Sequence, residues 1–160
     1  DNAVLYDADK FLELVYDTDN DIIVWSYRNN YTSYYNPNAY SWVDVDDENI
    51  IRKVNVKNFK GDNPLDNGAL VGTIFFRNKN IFNASLIRLY EKNIRINGEY
   101  SLDDLLNEAI QLGYIVRNFE VDEFICWGTP NDVKTYEYWQ RFFNKVNWHP
   151  YRYDNDYFTN

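Results

Sequence analysis

The sequence contains no methionine, and cysteine and histidine occur once each, as Cys126 and His149. A lone cysteine cannot form an internal disulfide, and Cys126 has no CxxC partner. A single histidine excludes a multi-histidine metal site and a conventional serine–histidine–aspartate relay. The chain opens on Asp1 without methionine and without a charged-then-apolar leader. We therefore expect a cytoplasmic protein, recorded here as a fragment or in processed form.

Positive charge and long apolar runs are also scarce. Lysine and arginine total 16 against 25 acidic residues, which gives a net charge of -9. Proteins that bind nucleic acid through its phosphates need an excess of basic residues, so nucleic acid is excluded as a general partner. No apolar run approaches the roughly 20 residues that span a bilayer, so we expect no membrane partner. The 160 residues are the size of one domain.

Strands and helices alternate along the sequence, which predicts an α/β fold. Apolar periodicity and turn residues place the elements. Helices are predicted over 7–15, 81–90, 101–113 and 129–145, strands over 22–25, 69–76 and 114–121, a hairpin over 42–56, and loops over 29–38 and 57–68. Because 22–25, 69–76 and 115–119 are the densest β-branched and aromatic runs, we expect them in one core sheet.

Three segments, taken in order, resemble the sugar-phosphate nucleotidyltransferases typified by glucose-1-phosphate thymidylyltransferases. They are residues 68–76, 95–100 and 121–132, and the resemblance covers about residues 1–139. It implies a mixed sheet with helices on both faces, a partial Rossmann-like fold. Residues 1–149 would be its C-terminal half and 150–160 a tail. The family's N-terminal half, with the Gly-rich loop ending in Arg that grips the triphosphate, would be missing.

The resemblance also implies a reaction. A sugar 1-phosphate and a nucleoside triphosphate would yield a nucleotide sugar and pyrophosphate, for capsule or cell-surface polysaccharide. The parent enzyme would use Mg²⁺, with Asp1 as ligand. The family's usual second metal carboxylate is Cys126 here, and cysteine is a poor magnesium ligand. Asp122 or Glu123 would then substitute, or the metal would rely on Asp1 and substrate oxygens.

The same resemblance implies the sugar-phosphate pocket. Glu99 would hold two sugar hydroxyls, which a charged acceptor binds strongly, and Gly98 would let the backbone approach. Gly72 would let the sugar lie against its strand, and Lys57 would reach the phosphate. From the residues alone, a solvated surface group is the favoured interpretation of both Glu99 and Lys57, and a β-bulge is the alternative interpretation of Gly72. No catalytic residue is assigned.

Two further positions depart from the family pattern. The glutamate that usually precedes the lysine is Val56 here, and a glycine that commonly contacts the sugar is Ser41. The alternative function is a noncatalytic sugar-phosphate-binding or assembly module, which the missing Gly-rich loop and Cys126 favour. A third hypothesis is a carbohydrate-binding domain, because aromatic residues make up 19% of the chain. A homo-oligomer or a separate N-terminal half would be the partner.

Overall fold

The computed structural model describes residues 2–96 and 98–156. The chain divides into two compact units. The larger unit is Val4–Phe124, and the smaller one combines the first three residues with Ile125–Asn160. None of the helices in the described ranges is long and apolar enough to cross a membrane. The predicted domain boundary at residue 149 stays a prediction.

Helices and strands alternate as the sequence predicts. The helices are α1 (Ala8–Tyr16), α2 (Tyr31–Tyr35), α3 (Lys79–Glu91), α4 (Leu102–Gln111) and α5 (Pro130–Lys145). The strands are β1 (Asn2–Leu5), β2 (Ile22–Tyr27), β3 (Trp42–Val45), β4 (Ile51–Asn55), β5 (Gly68–Phe76), β6 (Val116–Glu120) and β7 (Glu123–Cys126).

The larger unit is built on a five-stranded mixed sheet with the order β4-β3-β5-β2-β6. Strand β2 pairs parallel with β6 and antiparallel with β5, and β3 pairs antiparallel with both β5 and β4. The three runs predicted to form the core sheet are therefore adjacent strands of one sheet, which confirms that prediction. Strands β1 and β7 form a separate two-stranded sheet.

Helices cover both faces of the large sheet, as the resemblance implies. On one face, Val24 and Leu70 belong to a buried apolar cluster with Leu106 of α4 and Ile81 of α3. On the other face, α1 packs through aromatic rings. Phe11 lies edge-on to Trp25, with the ring centres 5.2 Å apart, and close to Phe75 and Phe119. The α/β fold class is thus confirmed.

Local capping residues explain why the helices begin where the sequence predicts. Asp7 accepts hydrogen bonds from backbone N–H groups in the first turn of α1, and Ser101 does so for α4. Thr129 and Asp132 form a capping box at the start of α5, and Pro130 occupies the first helical position. Each cap satisfies N–H groups that have no partner within the helix.

Two features differ from the sequence prediction. The predicted loop 29–38 contains the short helix α2, and β1 and β7 were not predicted. Helix α2 is only five residues long, too short for apolar periodicity to show. Its cap, Asn30, accepts a hydrogen bond from the Thr32 N–H and donates one to the Phe124 carbonyl oxygen 94 residues away. That contact cannot be read from local sequence.

Candidate functional site

A polar cluster around Ser41 joins three elements of the larger unit. Ser41 immediately precedes β3 and is buried, with 5% of its surface exposed. Its hydroxyl donates a hydrogen bond to Asp103 Oδ2 at 2.6 Å and accepts one from the Lys57 backbone N–H at 3.2 Å. Asp103 lies in the first turn of α4, and Lys57 follows β4. We call these three residues the Ser41 cluster.

Lys57 has an unusual backbone conformation in this cluster. Its φ is +46°, in the left-handed region, which is unfavourable for a residue with a Cβ by about 1 to 2 kcal/mol. The bond from its N–H to Ser41 holds this conformation in place. Its side chain is exposed, and among residues 2–96 and 98–156 it forms no ion pair within 4.0 Å. The ammonium is therefore available to an anionic ligand.

Asp103 is the member of the cluster whose titration the fold changes. Burial raises the pKa of its carboxyl above the ordinary value, and the negative charge of Asp104 adds to the rise. The hydrogen bond from Ser41 and the positive charge of Lys57 oppose it without cancelling it. Sequence reasoning missed Asp103, because an acid in the first turn of a helix is usually explained by the helix dipole alone.

We expect the Asp103→Asn substitution to stabilise the protein increasingly as pH rises. The pKa of Asp103 is raised on folding, so its contribution to stability is complete below the unfolded pKa and is lost as pH rises from that value towards the folded one. Asparagine does not titrate, and its carbonyl oxygen can still accept the Ser41 bond. Melting temperatures at pH values from about 4 to 7 should show the variant gaining a few degrees on the wild type. A difference in melting temperature between variant and wild type that stays constant across this pH range would contradict the prediction.

Gly72 lies in a β-bulge. In the pairing of β2 with β5, Val24 faces Ile74 and Ser26 faces Leu70, so one residue of β2 opposes three residues of β5. Gly72 has a φ of +97°, is exposed, and has no atom within 4 Å of the position that a Cβ would take. The bulge explains on structural grounds why a glycine occupies position 72. The open space beside it is compatible with a ligand lying against the strand. Its sugar contact stays a prediction.

We expect Gly72→Ala to destabilise the protein by about 1 to 2 kcal/mol. The backbone conformation, not a clash, is the cause, because the space around the new methyl group is open. Gly128→Ala is the matched control, since Gly128 has no left-handed backbone and its Cβ position lies 3.4 Å from Cys126 Sγ. Urea denaturation measures both variants. Equal stability of Gly72→Ala and wild type would contradict the assignment.

Glu99 closes a tight turn ahead of α4. Ile96 and Glu99 exchange backbone hydrogen bonds of 2.9 and 3.0 Å, and Gly98 between them has a φ of +84°. The carboxylate of Glu99 is exposed, and it makes no hydrogen bond or ion pair within the part of the chain that the structure describes. It is free to accept hydrogen bonds from a ligand.

Arg95 stabilises this turn through hydrogen bonds. Its guanidinium donates to the Gly98 carbonyl oxygen at 2.9 Å and to the Tyr100 hydroxyl at 3.0 Å. It also lies 4.2 Å from the centre of the Tyr100 ring, a cation–π contact. The Tyr100 ring in turn packs against Tyr90 of α3. The position of Glu99 is therefore fixed by contacts on either side of it.

Two of the predicted pocket residues, Gly72 and Glu99, lie close in sequence to residues that contact or belong to the Ser41 cluster. The Leu70 N–H donates to the Ser41 carbonyl oxygen at 2.9 Å, and Gly72 follows two residues along β5. Glu99 precedes the Ser101 cap of α4 by two residues, and Asp103 follows that cap. Because open α/β sheets bind ligands beyond the carboxyl ends of their strands, the sequence also predicts that Asp1 shares a cleft with Gly72 and Glu99. Asp1 lies outside the described residues, so the shared cleft stays a prediction.

The grouping of possible ligands bears on the predicted magnesium site. Within 2–96 and 98–156, no three histidine, cysteine or acidic side chains are grouped as ligands. Asp122 is exposed between β6 and β7, and its backbone N–H donates to the Leu5 carbonyl oxygen at 2.9 Å. Protein sites for Mg²⁺ commonly supply only one or two carboxylates, with the substrate's phosphates adding more ligands. The magnesium ligands stay predictions.

Cys126 and His149 both make local contacts within the smaller unit. The Gly128 N–H donates to Cys126 Sγ at 3.4 Å, and the sulfur lies 3.7 Å from the carboxylate of Asp132 in the capping box. The His149 ring stacks on Phe143 with a centre separation of 4.1 Å. Its Nδ1 accepts a hydrogen bond from the Tyr151 N–H. These contacts explain both residues through folding of the segment around α5.

No family model and no curated protein matches the sequence, but solved structures match the fold. The inositol-1-phosphate CTP transferase from T. maritima has 20% identity and a TM-score of 0.54, and the match covers 91% of this chain and 54% of that one. HddC from Yersinia pseudotuberculosis has 17% identity and a TM-score of 0.52, with coverages of 89% and 52%. A nucleoside-diphosphate-sugar pyrophosphorylase from Vibrio cholerae RC9 has 17% identity and a TM-score of 0.50, with coverages of 75% and 48%.

These matches show that the chain has a nucleotidyltransferase-like fold. At identities of 17 to 20%, they establish the fold and not the substrate. The chain spans about half the length of the structures that it matches. The activity of any whole protein to which it belongs is therefore a matter of proposal.

Proposed function

We propose that the parent polypeptide is a sugar-1-phosphate nucleotidyltransferase, and that this chain supplies its sugar-phosphate pocket. The observation that carries the proposal is the Ser41 cluster, which presents the unpaired ammonium of Lys57 on a nucleotidyltransferase-like sheet. Glu99 adds an exposed carboxylate in a braced turn. A cation for the phosphate and an anion for the hydroxyls are the two charges that recognition of a sugar phosphate requires.

In the proposed reaction, an oxygen of the sugar phosphate attacks the α-phosphorus of the nucleoside triphosphate. A new phosphorus–oxygen bond forms, the bond between the α-phosphorus and the bridging oxygen breaks, and pyrophosphate leaves. Catalysis of such transfers depends mainly on positioning and on neutralising charge. Lys57 would reduce the repulsion between the two anionic substrates. Glu99 would orient the sugar by accepting hydrogen bonds from its hydroxyls, with Gly98 and Gly72 leaving room for it.

Magnesium belongs to the proposal through Asp1, with Asp122 or Glu123 replacing the second carboxylate that the resembling family has at the position of Cys126. The roles of Lys57 and Glu99 do not require it. We further propose a cytoplasmic enzyme that makes nucleotide sugars for capsule or cell-surface polysaccharide. The nucleotide-binding half would be supplied by another segment or by a partner chain.

A noncatalytic sugar-phosphate-binding or assembly module is the second candidate. Cys126 and the missing Gly-rich loop favour it, because a thiol occupies the position where the resembling family has a metal carboxylate. Such a module would bind a sugar phosphate through Lys57 and Glu99 as well, but no parent polypeptide would release pyrophosphate.

Calorimetric titration of the chain with the 1-phosphates of glucose, mannose and N-acetylglucosamine tests the pocket. We expect saturable binding of at least one of them, in the micromolar to millimolar range typical of enzyme substrates, and none of free glucose. Lys57→Gln should weaken binding about tenfold, whereas Lys79→Gln, an exposed lysine at the start of α3, should not. If none of the three sugar 1-phosphates binds saturably, the proposed sugar-phosphate pocket is wrong.

The chain by itself should release no pyrophosphate from a nucleoside triphosphate and a sugar 1-phosphate. The resemblance assigns the backbone amides that hold the triphosphate to the other half of the fold. A coupled pyrophosphate assay on the pure chain measures this. Pyrophosphate release by the chain alone would show that the groups that hold the triphosphate are wrongly assigned to the other half of the fold.

A further inference from the structure

The larger unit contains a second candidate binding site, in a cavity of about 370 Å³ beside the β3–β4 hairpin. Its walls include Trp42 and Asp44 of β3, Lys53 and Asn55 of β4, and the loop that follows β4. A volume of this size falls in the range of small-molecule sites, which begins near 300 Å³.

The cavity lies on the opposite face of the sheet from the Ser41 cluster. Successive side chains of a strand point to opposite faces. Val43 belongs to the apolar cluster that contains residues of α4, so its neighbours Trp42 and Asp44 point away from α4. Val54 of β4 belongs to the same cluster, which places Lys53 and Asn55 on the face of the cavity. This site is therefore distinct from the proposed sugar-phosphate pocket.

The loop that follows β4 forms one wall of the cavity, and contacts with neighbouring residues hold it in place. Phe59 packs edge-on against Trp42, with the ring centres 4.7 Å apart, and its N–H donates to Asn38 Oδ1. Asn67 Nδ2 donates to the Asn63 carbonyl oxygen at 2.8 Å. A Cβ on Gly61 would lie 2.6 Å from Asn67 Nδ2 and 2.8 Å from Phe59. Glycine at this position is what permits the close packing.

The charge of the cavity is opposite in sign to that of the chain. Lys53 and Lys60 both line it, and neither forms an ion pair within 4.0 Å among the residues described. The only acid of the lining, Asp44, accepts a hydrogen bond from Asn55 Nδ2 at 2.9 Å. Two lysines and one aspartate give the lining a net charge of +1 in a chain of net charge -9. Each of the two ammonium groups can pair with an anion as a compact charge.

We propose that this cavity binds a small organic phosphate. The ammonium groups of Lys53 and Lys60 pair with the phosphate as compact charges. The side-chain amides of Asn55 and Asn67 each carry a second N–H for an oxygen of the ligand. The half-buried ring of Phe59 provides an apolar surface for the organic part, and Trp42, which is 2% exposed, packs behind it. This proposal does not depend on the proposed nucleotidyl transfer.

Amide NMR titration at constant ionic strength tests the site, with glucose 6-phosphate as the probe. We expect saturable shifts centred on Asn55, Gly61 and Asn67. Free glucose should produce none, and inorganic phosphate should bind at least about tenfold more weakly because it lacks the organic part. Non-saturable shifts, or inorganic phosphate that binds as tightly as glucose 6-phosphate, would overturn the proposal.

Matched lysine variants separate this site from the Ser41 cluster. Lys53→Gln/Lys60→Gln should weaken binding at Asn55, Gly61 and Asn67 at least about tenfold, without a change in melting temperature, because both side chains are exposed. Lys79→Gln/Lys134→Gln is the control and should leave the affinity unchanged. Lys57→Gln should also leave it unchanged. Unaltered affinity in the first variant, or shifts confined to Lys57 and Glu99, would refute the second site. The absence of shifts at Lys57 and Glu99 when glucose 1-phosphate is the probe would instead count only against the proposed function.

Discussion

Replacing both Arg88 and Lys92 by methionine is expected to lower the free energy of unfolding by about 3 to 5 kcal/mol. Arg88 lies on α3 and Lys92 immediately follows that helix, and both bind the carboxylate of Glu108 on α4. Arg88 Nε is 2.8 Å and Lys92 Nζ 2.7 Å from Glu108 Oε2. Glu108 is 1% exposed. Without the two cations its charge would be buried and unpaired, which is far less favourable than the paired state.

A third substitution provides the control for this prediction. In Arg88→Met/Lys92→Met/Glu108→Leu the buried charge is gone, so most of the lost stability should return. Methionine and leucine are good helix formers, which leaves helix propensity nearly unchanged. Urea denaturation of wild type, double and triple variants measures the effect. A double variant as stable as the wild type, or a triple variant no better than the double, would show that the pairing contributes little to joining α3 and α4.

Glu99→Ala is expected to weaken sugar 1-phosphate binding about ten- to hundredfold while leaving the fold intact. Loss of a hydrogen-bond acceptor costs about 1 to 3 kcal/mol, and more when the bond is charge-assisted. The carboxylate makes no contact within the described residues that the fold would lose. Calorimetry with the isolated chain measures the affinity, and thermal melting measures the fold.

The parent polypeptide allows a sharper form of the same experiment. Steady-state kinetics of Glu99→Ala, with each substrate varied in turn, should show a much larger rise in KM for the sugar 1-phosphate than for the nucleoside triphosphate. Glu91→Ala, an exposed acid at the end of α3, is the control and should alter neither. Equal losses for both substrates would remove Glu99 from the sugar pocket and favour the noncatalytic module.

The sequence by itself determined the features that depend on neighbouring residues. The starts of α1, α4 and α5 follow from Asp7, Ser101 and Thr129, because each side chain binds N–H groups two or three residues ahead. The strands of the core sheet follow from dense apolar runs bounded by turn residues. The positive φ of Gly98 agrees with the close backbone approach expected there, since glycine readily adopts that conformation.

Only the tertiary structure decided which distant residues meet. Ser41 and Asp103 are 62 positions apart, and their contact depends on α4 packing beside the hairpin of β3 and β4. The bulge at Gly72 depends on the register between β2 and β5. The cavity of Lys53 and Lys60 depends on how the loop after β4 folds over Trp42. Sheet order, register and loop packing are set by the sum of many weak contacts across the chain, so the local sequence indicates at most that Gly72 is compatible with a bulge, and not which residues meet.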